Sequence, residues 1–292
     1  SVAGQGFLDL RPHRIRAIFD YLLPRNRGVF LTALETDPNY VGECLDPDTE
    51  LQYNEFRIFG KPSPYALERP EILAAWQGPE LTDYSRHFYS HIDGAVPVLW
   101  EYDVALRRTL APDRIAYGGI PIETSAITPV HLPDRIGKVR LFLGRHRGRL
   151  TEKGTDILEA AARAVAERHP DKAELVIVEN RPYREYLEIL RSAHVVLDQL
   201  YSYTPATNAL LAMAMGLNTV SGGESMRPVI HVEPDYESVF GQLEKTVLDP
   251  ASIRPRGLEG REFVVKHNDC VTVARRFLSF WQRRLAEKES AS

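Results

Sequence analysis

Cysteine is nearly absent from this 292-residue chain, where Cys44 and Cys270 stand alone. Two separated thiols build neither a disulfide framework nor a zinc site, so a reducing, cytoplasmic compartment is the expectation. Long apolar runs are missing too. No stretch approaches the roughly 20 residues that cross a bilayer. No signal-peptide pattern opens the chain, so any membrane contact is expected to be peripheral. An excess of one charge is also lacking. The 36 Lys and Arg are set against 40 Asp and Glu, a net −4 that offers nucleic acid no bulk attraction. What is present, 43% hydrophobic and 26% charged residues, suits a globular protein with one large core or two modest ones.

The most informative stretch is 137–223. Val139, Leu141 and Leu143 alternate with Arg140 and Phe142 and run to Gly144, which predicts a largely buried strand. Arg145, Arg147, Gly148, Arg149, Lys153 and Gly154 follow in close succession. The next helix is expected over 154–168, with Ile157, Leu158, Ala161 and Val165 along one stripe. A helix N-terminus already carries free N–H groups and partial positive charge, so cations there oppose the macrodipole. A bound phosphate offsets both terms. A solvated basic turn has the same composition, but the position at the carboxyl end of a strand favours anion binding. Further strands are expected at 174–178, 194–199 and 217–221, with helices at 183–192 and 206–215. Such alternation implies an α/β fold with a parallel sheet and right-handed crossovers.

Gly144, Arg149, Lys153, Gly154, Thr155 and Asp156 form a G-x-x-x-x-R-x-x-x-K-G-T-D run. It resembles the donor-diphosphate loop of retaining glycosyltransferases with the GT-B fold. Ala212–Gly216 (AMAMG) with the following Asn218–Gly223 resembles that family's helix–turn–strand segment, and Gly260–Trp281 is similar to its closing helices. The resemblance spans roughly 115–282. It implies two Rossmann-like parallel-sheet domains and a nucleotide-sugar donor whose phosphates Arg149 and Lys153 grip. It also implies a glycan or lipid-linked hydroxyl acceptor. No cofactor or metal is obligatory in this reading, because cationic side chains and helix termini do the work of Mg²⁺. The family's usual pair of glutamates falls on Tyr203 and Leu211, neither of which can replace a carboxylate. Asn208 and Glu224 are the nominated stand-ins. Each also has a plain reading, Asn208 as a helix cap and Glu224 as a surface loop residue.

Other candidates flank these. Thr204 suits an N-cap and Pro205 a first helical turn, so Thr204 and Thr207 mark a second anion cradle at a helix start. Gly222-Gly223 allows close approach of backbone to a ligand. Tyr183 is assigned to stack on the nucleotide base, although Pro182-Tyr183 serves equally as a helix start. His146 sits in the phosphate loop and can donate to a phosphate or face solvent. Asp198-Gln199 ends a strand and can face the cleft, but structural hydrogen bonding to the next loop is the preferred reading. His87 and His91 have metal-ligand spacing but lack a partner acid, since Phe88 follows His87.

The N-terminal part is expected to hold helices at 11–23, 66–76, 81–92 and 103–110 and strands at 28–34, 94–100 and 115–119. Its polar stretch 35–62 reads as a long loop. These patterns suggest a partial Rossmann-like acceptor-side domain at 1–125 and a nucleotide-sugar-binding domain at 126–292, joined near 121–137. The helix expected at 270–287 either packs on its own domain or crosses back to the first. No strand and Gly-rich turn open the chain, so the first half of the N-terminal domain is expected to be missing. The sheet edge this would leave open favours a homodimer. The activity expected is transfer of a sugar from a nucleotide-sugar to a hydroxyl, in glycan or glycoconjugate biosynthesis. The alternatives are a non-catalytic nucleotide-sugar-binding subunit of the same fold, and a nucleotide-sugar epimerase, which would need a proton-transfer group at the sugar.

Overall fold

The computed structural model describes residues 10–223 and 228–290. Described residues up to Gly119 and from Val271 onward form one compact unit, and Ile120–Cys270 form the other.

In the first unit, α1 (Pro12–Leu22) starts on a proline and buries Ile15 and Phe19. Strand β1 (Phe30–Ala33) pairs in parallel with the fully buried β4 (Gly94–Pro97), with Phe30 opposite Gly94 and Ala33 opposite Pro97. The strand expected at 115–119 is reduced to a single bridge, Ala95 to Ile115, with Gly118 N–H donating to Pro97 O at 2.9 Å. Gly118 then lies so close to the Phe277 ring that a Cβ there would be 2.4 Å from it. The helix expected at 66–76 is split into α3 (Pro64–Glu68) and α4 (Pro70–Trp76), because Pro70 disfavours helical backbone at Arg69. Helices α5 (Pro79–His91) and α6 (Trp100–Arg107) complete the set expected from sequence.

The stretch 35–62 is not a loop. It folds as α2 (Pro38–Leu45), whose N-cap Asp37 accepts from Tyr40 N–H at 2.8 Å, and a tight hairpin of β2 (Arg57–Ile58) and β3 (Lys61–Pro62). Leu51, Tyr53 and Phe56 are buried beneath it. Four of its polar residues, Asp37, Glu43, Thr49 and Asn54, are buried and bonded inside. Buried Asn54 donates to Cys44 O at 3.2 Å and accepts from Phe56 N–H at 3.0 Å. The polar composition therefore reflects internal hydrogen bonding.

The second unit holds a five-stranded parallel sheet in the order β6–β5–β7–β8–β9. The strands are β5 (Val139–Gly144), β6 (Ala173–Val178), β7 (Val195–Leu197), β8 (Asn218–Ser221) and β9 (Ile230–His231), the last not anticipated from sequence. Around it lie α7 (Leu150–Lys153), α8 (Thr155–Arg168), α9 (Tyr183–Leu190), α10 (Thr207–Ala214), α11 (Tyr236–Leu248) and α12 (Ile253–His267). Leu141, Phe142 and Leu143 of β5 are completely buried, as are Leu158, Ala161 and Val165 of α8. The segment read as a linker is pinned to this unit. Ile122 N–H donates to Asn268 O and Val130 N–H to Met215 O, both at 2.7 Å.

The last helix, α13 (Cys270–Ser290), groups with the first unit and not with 126–292. Phe280 meets Phe30 with ring centroids 6.0 Å apart, Arg276 donates to Gly118 O at 3.0 Å, and Lys288 bonds Asp93 at 2.6 Å. The chain thus crosses back, and aromatic packing backed by carbonyl and carboxylate partners holds it there.

Candidate functional site

The site follows from the strand order of the second unit. Strand β5 lies between β6 and β7, so chain progression reverses at β5 and leaves a crevice at the carboxyl ends of these strands. Gly144 is level with Val178, and the next residue on β7 beyond the Leu143–Leu197 pair is Asp198. A cavity of about 270 Å³ opens there. It is lined by Gly144, His146, Arg149 and Lys153 of the basic loop, Asn180 and Arg181 after β6, Tyr186 of α9, Asp198 after β7 and Asn208 of α10, among others.

The loop after β5 is shaped by local backbone constraints. A turn of 3₁₀ helix (Arg147–Arg149) leads into α7, and Gly154 (φ +66°) breaks α7 from α8. A side chain at Gly154 would meet the Leu200 Cβ at 2.9 Å, so the loop lies directly on the exit from β7. Lys153 O accepts from Leu200 N–H at 2.9 Å, tying the lysine backbone to the same exit.

The cations of this loop differ in what they hold. Arg145 bonds Glu159 at 3.0 Å and Glu179 at 2.8 Å. These contacts raise the Arg145 pKa and, led by Arg145, hold the Glu179 carboxyl below its ordinary range. Arg147 also pairs with Glu179. Arg149 donates through Nε to both oxygens of Glu152, at 3.0 and 2.9 Å. Lys153 forms no direct ion pair among the described residues. Its charge is felt by Asp198. Burial raises the Asp198 pKa, while Lys153 and a hydrogen bond from Ala206 N–H pull it back. Tyr186 donates its hydroxyl to Asn208 Oδ1 at 2.6 Å, and burial pushes its pKa up to about 12. Gly144 leaves room for this ring, since a Cβ there would sit 3.0 Å from the Tyr186 hydroxyl.

The residues nominated from sequence divide accordingly. Gly144, Arg149, Lys153 and Asn208 line one cavity. Tyr183 does not; it is 68% exposed at the start of α9. Tyr186, one turn on, lines the cavity instead, and only the helical period from Tyr183 signals it in the sequence. Thr204 is buried and is not the cap of α10, which begins after Ala206, and Thr207 faces solvent. The N–H of Ala206 is directed to Asp198, so this helix start already serves a carboxylate of the chain itself. Gly222 meets backbone: a Cβ there would lie 2.2 Å from Ser202 O and 2.6 Å from Leu200 O. Gly223 adopts φ +134° beside Tyr203 O and does not line the cavity. Glu224 lies outside the described residues. His87 bonds Asp20 at 2.6 Å, a pairing within the first unit. Asp198, for which the sequence favoured structural hydrogen bonding over a place in the cleft, lines the cavity. It is 8% exposed, and its Oδ2 has no hydrogen-bond partner.

No protein-family model and no curated protein sequence matches this chain. Solved structures do. A TarM variant from S. aureus, in complex with fondaparinux, alpha-GlcNAc-glycerol and UDP, superposes with a TM-score of 0.55 at 11% identity, covering 70% of this chain and 47% of that one. Sucrose-phosphate synthase from Thermosynechococcus elongatus gives 0.56 at 16% identity, over 73% and 64% of the two chains. The lipopolysaccharide outer core galactosyltransferase WaaB gives 0.52 at 12%, over 93% and 81%. This chain therefore spans about half to two thirds of the length of the first two. At these identities the likeness is one of fold: an α/β chain with parallel sheets, of the GT-B type.

Proposed function

We propose that this chain transfers a sugar from a nucleotide-sugar to a hydroxyl group of a glycan or lipid-linked acceptor. The observation that carries the reading is Lys153, a cation in no direct ion pair among the described residues, lining a cavity at the point where strand order reverses. In the reaction, the bond between the anomeric carbon and the phosphate oxygen breaks, and the diphosphate leaves with the electron pair. A bond to the acceptor oxygen forms, and the acceptor proton is released. Negative charge gathers on the leaving diphosphate, and a fixed cation in a partly enclosed cavity stabilises it there. The diphosphate-loop and AMAMG segments carry the expectation of retention, which NMR of the product linkage checks.

The test is a donor panel of UDP-glucose, UDP-GlcNAc, GDP-mannose and ADP-glucose, scored for binding and for nucleoside diphosphate release with and without sugar acceptors. Release from one donor is the expected result. Binding without release identifies a nucleotide-sugar-binding subunit, and no binding of any donor removes the reading altogether.

Arg149 enters this scheme conditionally, because Glu152 holds it in the free protein. Glu152→Gln is expected to release the guanidinium and tighten pyrophosphate binding several-fold, with little change in Tm, since exposed pairs are worth only about 0–1 kcal/mol. Calorimetric titration of pyrophosphate reads this directly. Unchanged or weaker binding would show that Arg149 does not reach the anion.

A further inference from the structure

The cavity has a second chemical character beside its cationic loop. Asp198 is more than nine-tenths buried, and its Oδ2 finds no hydrogen-bond partner in the chain. Buried polar atoms are rarely left unpaired, and one that lines a cavity is an acceptor awaiting a donor. In the same cavity, Asn208 has its oxygen engaged by the Tyr186 hydroxyl at 2.6 Å. That bond fixes the amide with its NH₂ group available as a donor. The corner thus offers one unfilled carboxylate acceptor and one amide donor.

This pairing discriminates between ligand groups. A hydroxyl both donates and accepts, so it satisfies Asp198 and Asn208 together. A phosphate oxygen only accepts and carries like charge, so it is turned away from Asp198 and toward Lys153. In a nucleotide-sugar, hydroxyl-bearing rings stand on both sides of the diphosphate. A phosphate held at Lys153 therefore brings one of those rings to the adjoining corner. Burial raises the Asp198 pKa and the nearby Lys153 lowers it, so the acceptor keeps its charge best while the lysine is in place.

We propose that Asp198 and Asn208, with Asn208 oriented by Tyr186, form a hydroxyl-recognition corner that binds the ribose or the transferred sugar of the donor and sets the direction in which the diphosphate lies. This rests on the transferase reading above and adds a specificity-determining pair to it.

The test is calorimetric titration of wild type, Asp198→Ala, Asp198→Asn and Asn208→Ala with three classes of probe. Pyrophosphate has no hydroxyl. UDP, GDP and ADP carry ribose alone. UDP-glucose, GDP-mannose and ADP-glucose carry both rings. Asp198→Ala is expected to leave pyrophosphate affinity equal or higher and to weaken the hydroxyl-bearing probes by about ten- to a hundredfold, the scale of a charge-assisted hydrogen bond. A loss already seen with the nucleoside diphosphates assigns the corner to ribose. A loss confined to the nucleotide-sugars assigns it to the transferred sugar. Asp198→Asn, which keeps one oxygen acceptor, is expected to recover part of the loss. If Asp198→Ala fails to fold, Asp198→Asn and Asn208→Ala carry the comparison. Equal or tighter binding of every probe by the folded variants overturns the proposal and leaves Asp198 a buried charge without a ligand. If wild type binds none of the probes, the transferase reading itself fails, and this corner fails with it.

Discussion

Lys153→Ala is expected to weaken pyrophosphate and nucleoside diphosphate binding by one to two decades. A charge-assisted hydrogen bond is worth about 1.5–3 kcal/mol, which sets the scale of this loss. The ammonium forms no direct ion pair among the described residues and is opposed only by the nearby Asp198. The backbone beneath it is fixed, since Lys153 O accepts from Leu200 N–H at 2.9 Å and Gly154 turns the chain at φ +66°. The side chain is held at the cavity without a direct ion pair. Arg149→Ala is expected to cost less, because that guanidinium is already spent on Glu152 and its side chain is 49% exposed. Calorimetry with pyrophosphate separates the two variants, and Tm is expected to move little in either. Wild-type affinity in Lys153→Ala would remove the anion site from this loop.

The largest stability effect is expected at Gly222. A methyl group there would stand 2.2 Å from Ser202 O and 2.6 Å from Leu200 O. These are backbone atoms of the segment that leaves β7, and Gly222 N–H is itself bonded to Gln199 O at 2.9 Å. Neither side can move without separating β8 from that segment. Gly222→Ala is therefore expected to lose about 3 kcal/mol or more, or to fail to accumulate as folded protein. Urea unfolding measures this. Gly144→Ala is the informative companion. Its new methyl would meet the end of the Tyr186 side chain at 3.0 Å, and a side chain can swing away. Stability is expected to hold within about 1 kcal/mol, while the Tyr186–Asn208 bond and ligand affinity change. A mild effect at Gly222 would mean that the two segments pack more loosely than described.

The two glycines show why the same residue type was read alike and acts differently. Both follow or end a β-strand in a parallel sheet, and both were nominated as ligand-binding residues. What comes close is a tyrosine ring in one case and the chain's own carbonyls in the other. Nothing in the local sequence separates those cases, since the partners arrive from tens of residues away.

Local pattern was enough for the second unit's framework. Alternation and helical stripes at 138–221 placed β5 to β8 and α8 to α10 within a few residues, because most of these elements are apolar on the face they bury and most are bounded by glycine or proline. Basic residues after a buried strand also pointed to the right loop. Local pattern failed at 35–62, where polar residues satisfy one another inside the fold. It failed at 115–119, where a single bridge replaces a strand. It could not tell which unit would hold α13, because an amphipathic helix records that it has a buried face but not whose surface covers it.

Sequence by itself determined the α/β class, the parallel sheet and the position of the cationic loop, all of which follow from the spacing of apolar and charged residues along a few turns or strands. Tertiary structure alone decided which of four loop cations forms no direct ion pair among the described residues, because Glu152, Glu159 and Glu179 claim the arginines and leave Lys153. It alone brought Asp198, Asn208 and Tyr186 to one corner. Hydrogen-bond satisfaction is a property of neighbours in space, and a linear chain does not state who those neighbours are.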